Sequence, residues 1–168
     1  SRALYPAGVY DVTDAWRTPK NWVDADVTWT EEEKSVVFNG ATGEYVWLDL
    51  APSDTFTFTA NVTVTGYPSG DVRVTPFALL LGPDSNEIVA FDINRLDVQL
   101  YKRWDFDDFI GKPMPAELYT AESDGTYTIN MALKAEFSDG TLTISIGTSQ
   151  DTLQVIAEKS SFSGVTLH

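Results

Sequence analysis

Residues 126–146 read TYTINMALKAEFSDGTLTISI, and this stretch decides the fold class. Every second side chain of its first half is apolar or aromatic: Tyr127, Ile129, Met131, Leu133, Ala135 and Phe137. A period of two is typical of a β-strand that buries one of its faces. Asp139-Gly140 separates this run from a second alternating run at 141–146, and an Asp-Gly pair in that position indicates a β-hairpin. The stretch therefore predicts two antiparallel strands joined by a tight turn.

A longer alternating stretch lies upstream, where residues 55–65 read TFTFTANVTVT. One face of this stretch would carry its apolar residues, Phe56, Phe58, Ala60, Val62 and Val64. The other face would carry threonine and asparagine side chains. The pattern predicts a half-buried strand with a polar outer face.

Shorter strand signals occur at 27–29, 35–38, 44–50, 72–81, 87–93, 95–103 and 152–158. The short Asn94-Arg95 step indicates either a tight turn between two strands or a bulge in one long strand. No window of eleven or more residues has the apolar period of ~3.6 residues that marks a helix, and residues 30–34 have room for one helical turn. Residues 104–120 are predicted to be irregular, either as a functional loop or as a cover over a sheet edge.

About ten short strands separated by turn signals predict an all-β fold, a two-sheet antiparallel β-sandwich. The chain has 168 residues. That length suits one domain, so we expect a single domain over residues 1–168.

Composition excludes several classes of protein. The chain has no cysteine, and its one histidine is His168, so a cysteine nucleophile, a Ser-His-Asp triad and a two-histidine metal site are all absent. The formal net charge of −14 argues against a nucleic-acid or anionic-membrane binder, because phosphate contacts require a basic surface. The longest apolar run, residues 77–81, is far shorter than the ~20 residues of a membrane span. A neutral partner such as a sugar, or a cation, is compatible with this charge.

The order of the segments resembles the concanavalin A-like (laminin G-like) jelly roll. The resemblance covers residues 44–168 and is carried by 55–65, 75–81, 88–93, VQLYKR at 98–103, GTYTIN at 125–130, 140–146 and SFSG at 161–164. Carbohydrate-binding modules of that group show the same order. The resemblance therefore implies a jelly-roll sandwich. It implies a function only by association with the other proteins that have this fold.

Catalytic members of this fold resemble one another in a strand that carries Glu-x-Asp-x-x-Glu, and this chain lacks that motif. Retaining hydrolysis requires two carboxyl groups ~5–5.5 Å apart. Glu87 and Asp92 are five positions apart, which places them on opposite faces of a regular strand. The resemblance thus implies a non-catalytic carbohydrate-binding module. The alternatives are a small glycoside hydrolase or a polysaccharide lyase, for which Tyr101 and Arg103 are a candidate pair, and a laminin G-like adhesion domain.

The outward residues of 44–50 and 95–103 are the candidate ligand-binding site. With the neighbouring Trp104 as a wall, the set is Tyr45, Trp47, Asp49, Arg95, Asp97, Gln99, Tyr101, Arg103 and Trp104. Two aromatic rings at positions i and i+2 lie ~6.6–6.8 Å apart on one face and match the flat apolar faces of sugar rings. Arginine, aspartate and glutamine offer paired hydrogen bonds to neighbouring hydroxyls. The structural alternative is that Trp47 packs beneath residues 104–119 and that the charged residues form cross-strand ion pairs.

The expected ligand is a neutral polysaccharide, with plant β-glycans such as xylan or β-glucan first and fructans such as levan second, since the net charge repels polyanions. We expect no nucleic-acid or membrane partner, and a monomeric module within a larger secreted, extracellular enzyme. No cofactor is required. Acidic segments at 84–87, 105–108 and Asp139 either hold a structural calcium ion or only add solubility, because none has a recognised ligand spacing.

Overall fold

The structure is a computed structural model that describes residues 4–5, 8, 22–23, 27–38, 45–46, 49–50, 54–68, 77–81, 89–94, 96–102 and 109–160. These residues are almost entirely β-structure, so the predicted fold class is confirmed. The chain divides into two compact units, residues 1–53 with His168 and residues 54–167. A single domain over the whole chain stays a prediction.

The first unit contains short strands: β1 Leu4–Tyr5, β2 Trp22–Val23, β3 Val27–Thr30, β4 Ser35–Phe38, β5 Tyr45–Val46 and β6 Asp49–Leu50. β2 pairs with β5 and β3 with β4, both antiparallel, whereas β1 and β6 pair in parallel. Residues 31–34 form the turn of the β3–β4 hairpin. At the start of that turn the Trp29 indole N–H donates to Glu31 at 2.6 Å.

The second unit contains two antiparallel sheets. Its strands are β7 Thr55–Tyr67, β8 Ala78–Leu81, β9 Val89–Asn94, β10 Asp97–Lys102, β11 Ile110–Pro113, β12 Tyr119–Ala121, β13 Tyr127–Ser138, β14 Thr141–Gly147 and β15 Gln154–Lys159. One sheet has the order β11-β10-β9-β8. In the other sheet β13 pairs with β7 along one edge and with β12 and then β14 along its other edge, and β14 pairs with β15.

One apolar cluster lies between these sheets. Val98 and Leu100 of β10 are fully buried in the same cluster as Ile129, Leu133 and Phe137 of β13. The apolar face predicted for β13 is therefore confirmed, since all of its members except the half-buried Tyr127 are buried. A shared core between two antiparallel sheets is the arrangement of a β-sandwich. The jelly-roll strand order stays a prediction.

Two tight turns connect neighbouring strands of the second unit. Asp139 and Gly140 have φ angles of 48° and 81°, and Ser138 pairs with Thr141, so the predicted Asp-Gly hairpin is confirmed. Asp97 pairs with Asn94, which shows that the step between β9 and β10 is a tight two-residue turn and not a bulge.

The prediction of an irregular stretch at 104–120 is wrong for its second half. Residues 110–113 form β11, Ala116–Leu118 form a single 3₁₀ turn, and β12 begins at Tyr119. Met114 and Leu118 are buried in the core, so this segment is held by packing that a short sequence pattern does not reveal. Residues 104–108 lie outside the described part of the chain.

Candidate functional site

β10 presents opposite chemistry on its two faces. Val98 and Leu100 point into the core, and Asp97, Gln99 and Tyr101 alternate with them on the outer face, where each is half-buried. This agrees with the outward set predicted for residues 97–101. The core cluster packs against the inner face, so the outer face carries the polar side chains of β10.

The polar groups at the centre of this face form no hydrogen bond or ion pair with a described residue. Among the residues that the structure describes, neither the Asp97 carboxylate nor the Gln99 amide has a hydrogen-bond or ion-pair partner. For Asp97, the predicted alternative of an ordinary cross-strand ion pair is therefore not found within the described ranges. Tyr101 does have an interaction partner, so it does not belong with these two groups.

An aromatic ring lies beside these groups. Gln99 pairs with Gly111 of the neighbouring strand β11, and a Cβ at Gly111 would lie 3.3 Å from Phe109 Cε2. The Phe109 ring therefore covers the space that a side chain at position 111 would occupy, on the same face as Gln99. Phe109 is 53% exposed. We call Asp97, Gln99, Tyr101, Phe109 and Gly111 the β10–β11 surface.

The Asp97 end of this surface is fixed by the preceding turn. Leu96 has a φ of 58°, a left-handed conformation that is uncommon for a bulky residue. Its N–H donates to the Tyr67 hydroxyl at 3.2 Å, and its C=O accepts from the Met114 N–H at 2.8 Å. Tyr67 and Met114 are both buried, so the turn is anchored to the core on two sides.

The structure brings three of the nine predicted site residues together, namely Asp97, Gln99 and Tyr101. Tyr45 lies in β5 and Asp49 in β6, both in the other compact unit, so a single site that contains all nine stays a prediction. The remaining four, Trp47, Arg95, Arg103 and Trp104, lie outside the described residues.

Phe109 is the residue that the sequence reasoning missed as part of a site. The sequence pattern places Phe109 in the irregular stretch 104–120, although it lies two positions before Gly111 of β11. An aromatic side chain that covers a glycine in an edge strand is a known packing device, and this spacing was the available signal.

A separate shallow groove of about 240 Å³ lies between the 3₁₀ turn and the β14–β15 hairpin. Its lining includes Glu117, Thr152 and the 63% exposed Val155, and it contains no aromatic side chain. It therefore lacks the flat platform that a sugar ring would need.

In the described ranges, no three acidic or histidine side chains come together as a metal site would require. No helix in these ranges is long and apolar enough to span a bilayer. Asp139 is an exposed turn residue, and the acidic segments at 84–87 and 105–108 lie outside the described part of the chain.

Comparison with known proteins gives no relative. No protein-family model matches the chain, and no curated protein or solved structure matches it either.

Proposed function

We propose that this chain is a non-catalytic carbohydrate-binding module that attaches a secreted polysaccharide-degrading enzyme to a neutral polysaccharide. The preferred ligand class is a plant β-glycan such as xylan or β-glucan. The proposed site is the β10–β11 surface, which includes Asp97, Gln99 and Tyr101 of the nine residues predicted from the sequence. The module needs no cofactor for this binding.

One observation carries the proposal. On the β10–β11 surface, the Asp97 carboxylate and the Gln99 amide have no partner among the described residues, and they share a sheet face with an aromatic ring that is more than half exposed. A half-buried polar group without a partner loses hydration and gains no compensating bond, which a ligand hydroxyl would supply. The ring supplies the apolar platform, so the two features together match the mixed character of a pyranose ring.

Charge narrows the ligand class. The net charge of −14 disfavours uronate-rich and sulfated polymers at low salt. Tighter binding to alginate or pectate than to every neutral glycan would therefore contradict the choice of ligand.

Affinity gel electrophoresis against a panel of soluble glycans tests the function. Slower migration in a xylan or β-glucan gel, without release of reducing sugar, is the expected result. Release of reducing ends or of unsaturated products would identify an enzyme of the same fold. Unchanged migration in every glycan gel would favour the protein-binding adhesion domain. Repeating the gels with EDTA distinguishes the two alternatives for the acidic segments, a structural calcium ion or added solubility.

A matched pair of variants ties the result to the site. The double variant Asp97→Asn/Gln99→Ala removes the Asp97 carboxylate and the Gln99 amide. In a glycan gel it should migrate as fast as it does in a glycan-free gel. The control Asp151→Asn/Gln154→Ala makes the same chemical changes at exposed positions of the β14–β15 hairpin and should keep the retardation.

A further inference from the structure

β7 has the exposure of an edge strand. Among the strands that the structure describes, it pairs with β13 alone. Its outward threonines and asparagine are all exposed. Its inward residues, such as Phe58 and Val62, are only half-buried, although their partners Ala135 and Met131 on β13 are buried. Both faces of β7 thus remain partly uncovered.

The position of Gln150 shows which peptide groups of β7 point away from β13. Its side-chain amide nitrogen donates to the Ala60 carbonyl at 3.0 Å and to the Leu133 carbonyl at 3.4 Å. One nitrogen can reach both carbonyls only if both face the gap between the strands, so Ala60 and Leu133 form a hydrogen-bonded pair. Such pairs alternate along a ladder, and the peptide groups of Thr59 and Asn61 therefore point to the outer edge.

Over residues 55–64 this edge carries none of the usual protection against pairing, since the register shift between β7 and β13 lies beyond Val64. β7 spans 13 residues without a charged residue or a proline. Natural edge strands are normally short, charged, bulged or interrupted by proline, because an unprotected edge is a template for another strand. A long and uncharged edge indicates a strand whose pairing is completed by a partner.

The sequence of β7 is complementary to itself. Read outward from Ala60, the flanking pairs are Thr59 with Asn61, Phe58 with Val62, Thr57 with Thr63 and Phe56 with Val64. In an antiparallel pair centred on Ala60, polar residues would face polar residues and aromatic rings would face β-branched side chains. Both kinds of cross-strand pair are favourable. Ala60, the smallest side chain of this set, would lie opposite its own copy at the centre.

We propose that a second copy of this chain is the partner, with the two β7 strands paired antiparallel about a two-fold axis at Ala60. The outward peptide groups of residues 57, 59, 61 and 63 then meet those of residues 63, 61, 59 and 57 of the second copy, giving about eight backbone hydrogen bonds. Each five-stranded sheet would become half of a continuous ten-stranded sheet. This dimer is independent of the carbohydrate proposal, and it departs from the monomeric module expected from the resemblance.

Analytical ultracentrifugation of the full chain over a wide range of concentration tests the dimer. The expected mass is twice the 18.6 kDa of one chain. Thr59→Pro removes an N–H that points to the edge and leaves the β7–β13 hydrogen bonds intact, so its mass should fall to that of the monomer. In Thr59→Lys/Asn61→Lys, lysines would face lysines across the axis, and this variant should also be monomeric. The control Ser138→Lys adds a charge at an exposed position of β13, away from the edge, and should stay dimeric.

Circular dichroism establishes whether each variant is folded. If Thr59→Pro does not fold, Thr59→Lys/Asn61→Lys alone tests whether β7 forms the dimer interface. A wild-type chain that is monomeric throughout would overturn the proposal. An oligomer larger than a dimer would also overturn it. If Thr59→Lys/Asn61→Lys is folded and still dimeric, a different interface holds the copies together and the proposal is wrong.

Discussion

The Tyr67 hydroxyl accepts a hydrogen bond from the backbone N–H of Leu96 at 3.2 Å, and this contact links the end of β7 to the turn that begins β10. Leu96 is in a left-handed conformation, which costs a non-glycine residue about 1 kcal/mol or more. The turn keeps that conformation because the N–H and the C=O of Leu96 are both bonded and its side chain packs against the core. Tyr67 therefore helps to place Asp97, the first residue of β10.

Tyr67→Phe is expected to lower the free energy of unfolding by about 1 kcal/mol, because the Leu96 N–H loses its partner in a partly buried place. Urea denaturation measures this loss. Tyr119→Phe is the matched control. The Tyr119 hydroxyl has no partner among the described residues, and its edge-to-face contact with Tyr127, at 5.5 Å between ring centres, survives the change. Equal losses in the two variants would show that the Tyr67 hydroxyl does not hold the turn.

The long alternating strands could be predicted from the sequence because burial in a strand depends on a local period. The two faces of β13 follow directly from residues 127–137. The short strands β11 and β12 have four and three residues, too few to establish a period. The sequence does not distinguish a turn from a bulge before β10, because Leu96 is not one of the glycine, asparagine or aspartate residues that normally mark such a turn.

The outward positions of Asp97, Gln99 and Tyr101 could also be predicted, since they alternate with the buried Val98 and Leu100. The contribution of Phe109 could not, because it depends on the pairing of β10 with β11 across a segment that has no pattern of its own. The same limit applies to Tyr45 and Asp49. Alternation along one strand does not report which distant strand it meets.

Gly147→Ala is expected to destabilise the fold by about 1–3 kcal/mol through overpacking. A Cβ at position 147 would overlap the carbonyl oxygen of Thr152 and lie 2.9 Å from its carbonyl carbon, and backbone cannot move aside as a side chain can. Gly111→Ala is the control, since its Cβ would meet only the rotatable ring of Phe109 at 3.3 Å. Thermal or urea unfolding compares the two. A smaller loss at Gly147 than at Gly111 would contradict the close packing of the β14–β15 loop.

Asp124 should titrate below its ordinary value. The hydroxyl of Thr126 donates to Asp124 Oδ1 at 2.7 Å and its N–H donates at 3.0 Å, and these bonds, the side-chain bond first, hold the pKa of Asp124 below 3.8. Because the folded pKa is lower than the unfolded one, the contribution to stability is present above the unfolded pKa and is lost as the pH falls through the folded pKa.

Carboxyl-carbon NMR measures that titration. In Thr126→Ala the Asp124 midpoint should move up towards 3.8 without reaching it, because the backbone N–H still donates. Thr120→Ala, an exposed threonine on the neighbouring strand β12, should leave the midpoint in place. An unchanged midpoint in Thr126→Ala would mean that the hydroxyl is not the main cause of the lowered pKa.

Phe109→Ala is expected to weaken glycan binding at least about fivefold while the fold is retained, since stacking on an aromatic ring is worth about 1–3 kcal/mol by analogy with base–aromatic platforms. Phe109 is more than half exposed and is not part of the buried core, so its removal should open little of that core. Phe38→Ala removes another exposed aromatic ring, 46% accessible on β4, and should leave binding unchanged. Isothermal titration calorimetry with the oligosaccharide that retards the wild-type chain gives both affinities, and thermal unfolding checks the fold. If Phe109→Ala binds as tightly as Phe38→Ala, the aromatic platform is not at the β10–β11 surface, and Tyr45, Trp47 and Trp104 become the rings to test next.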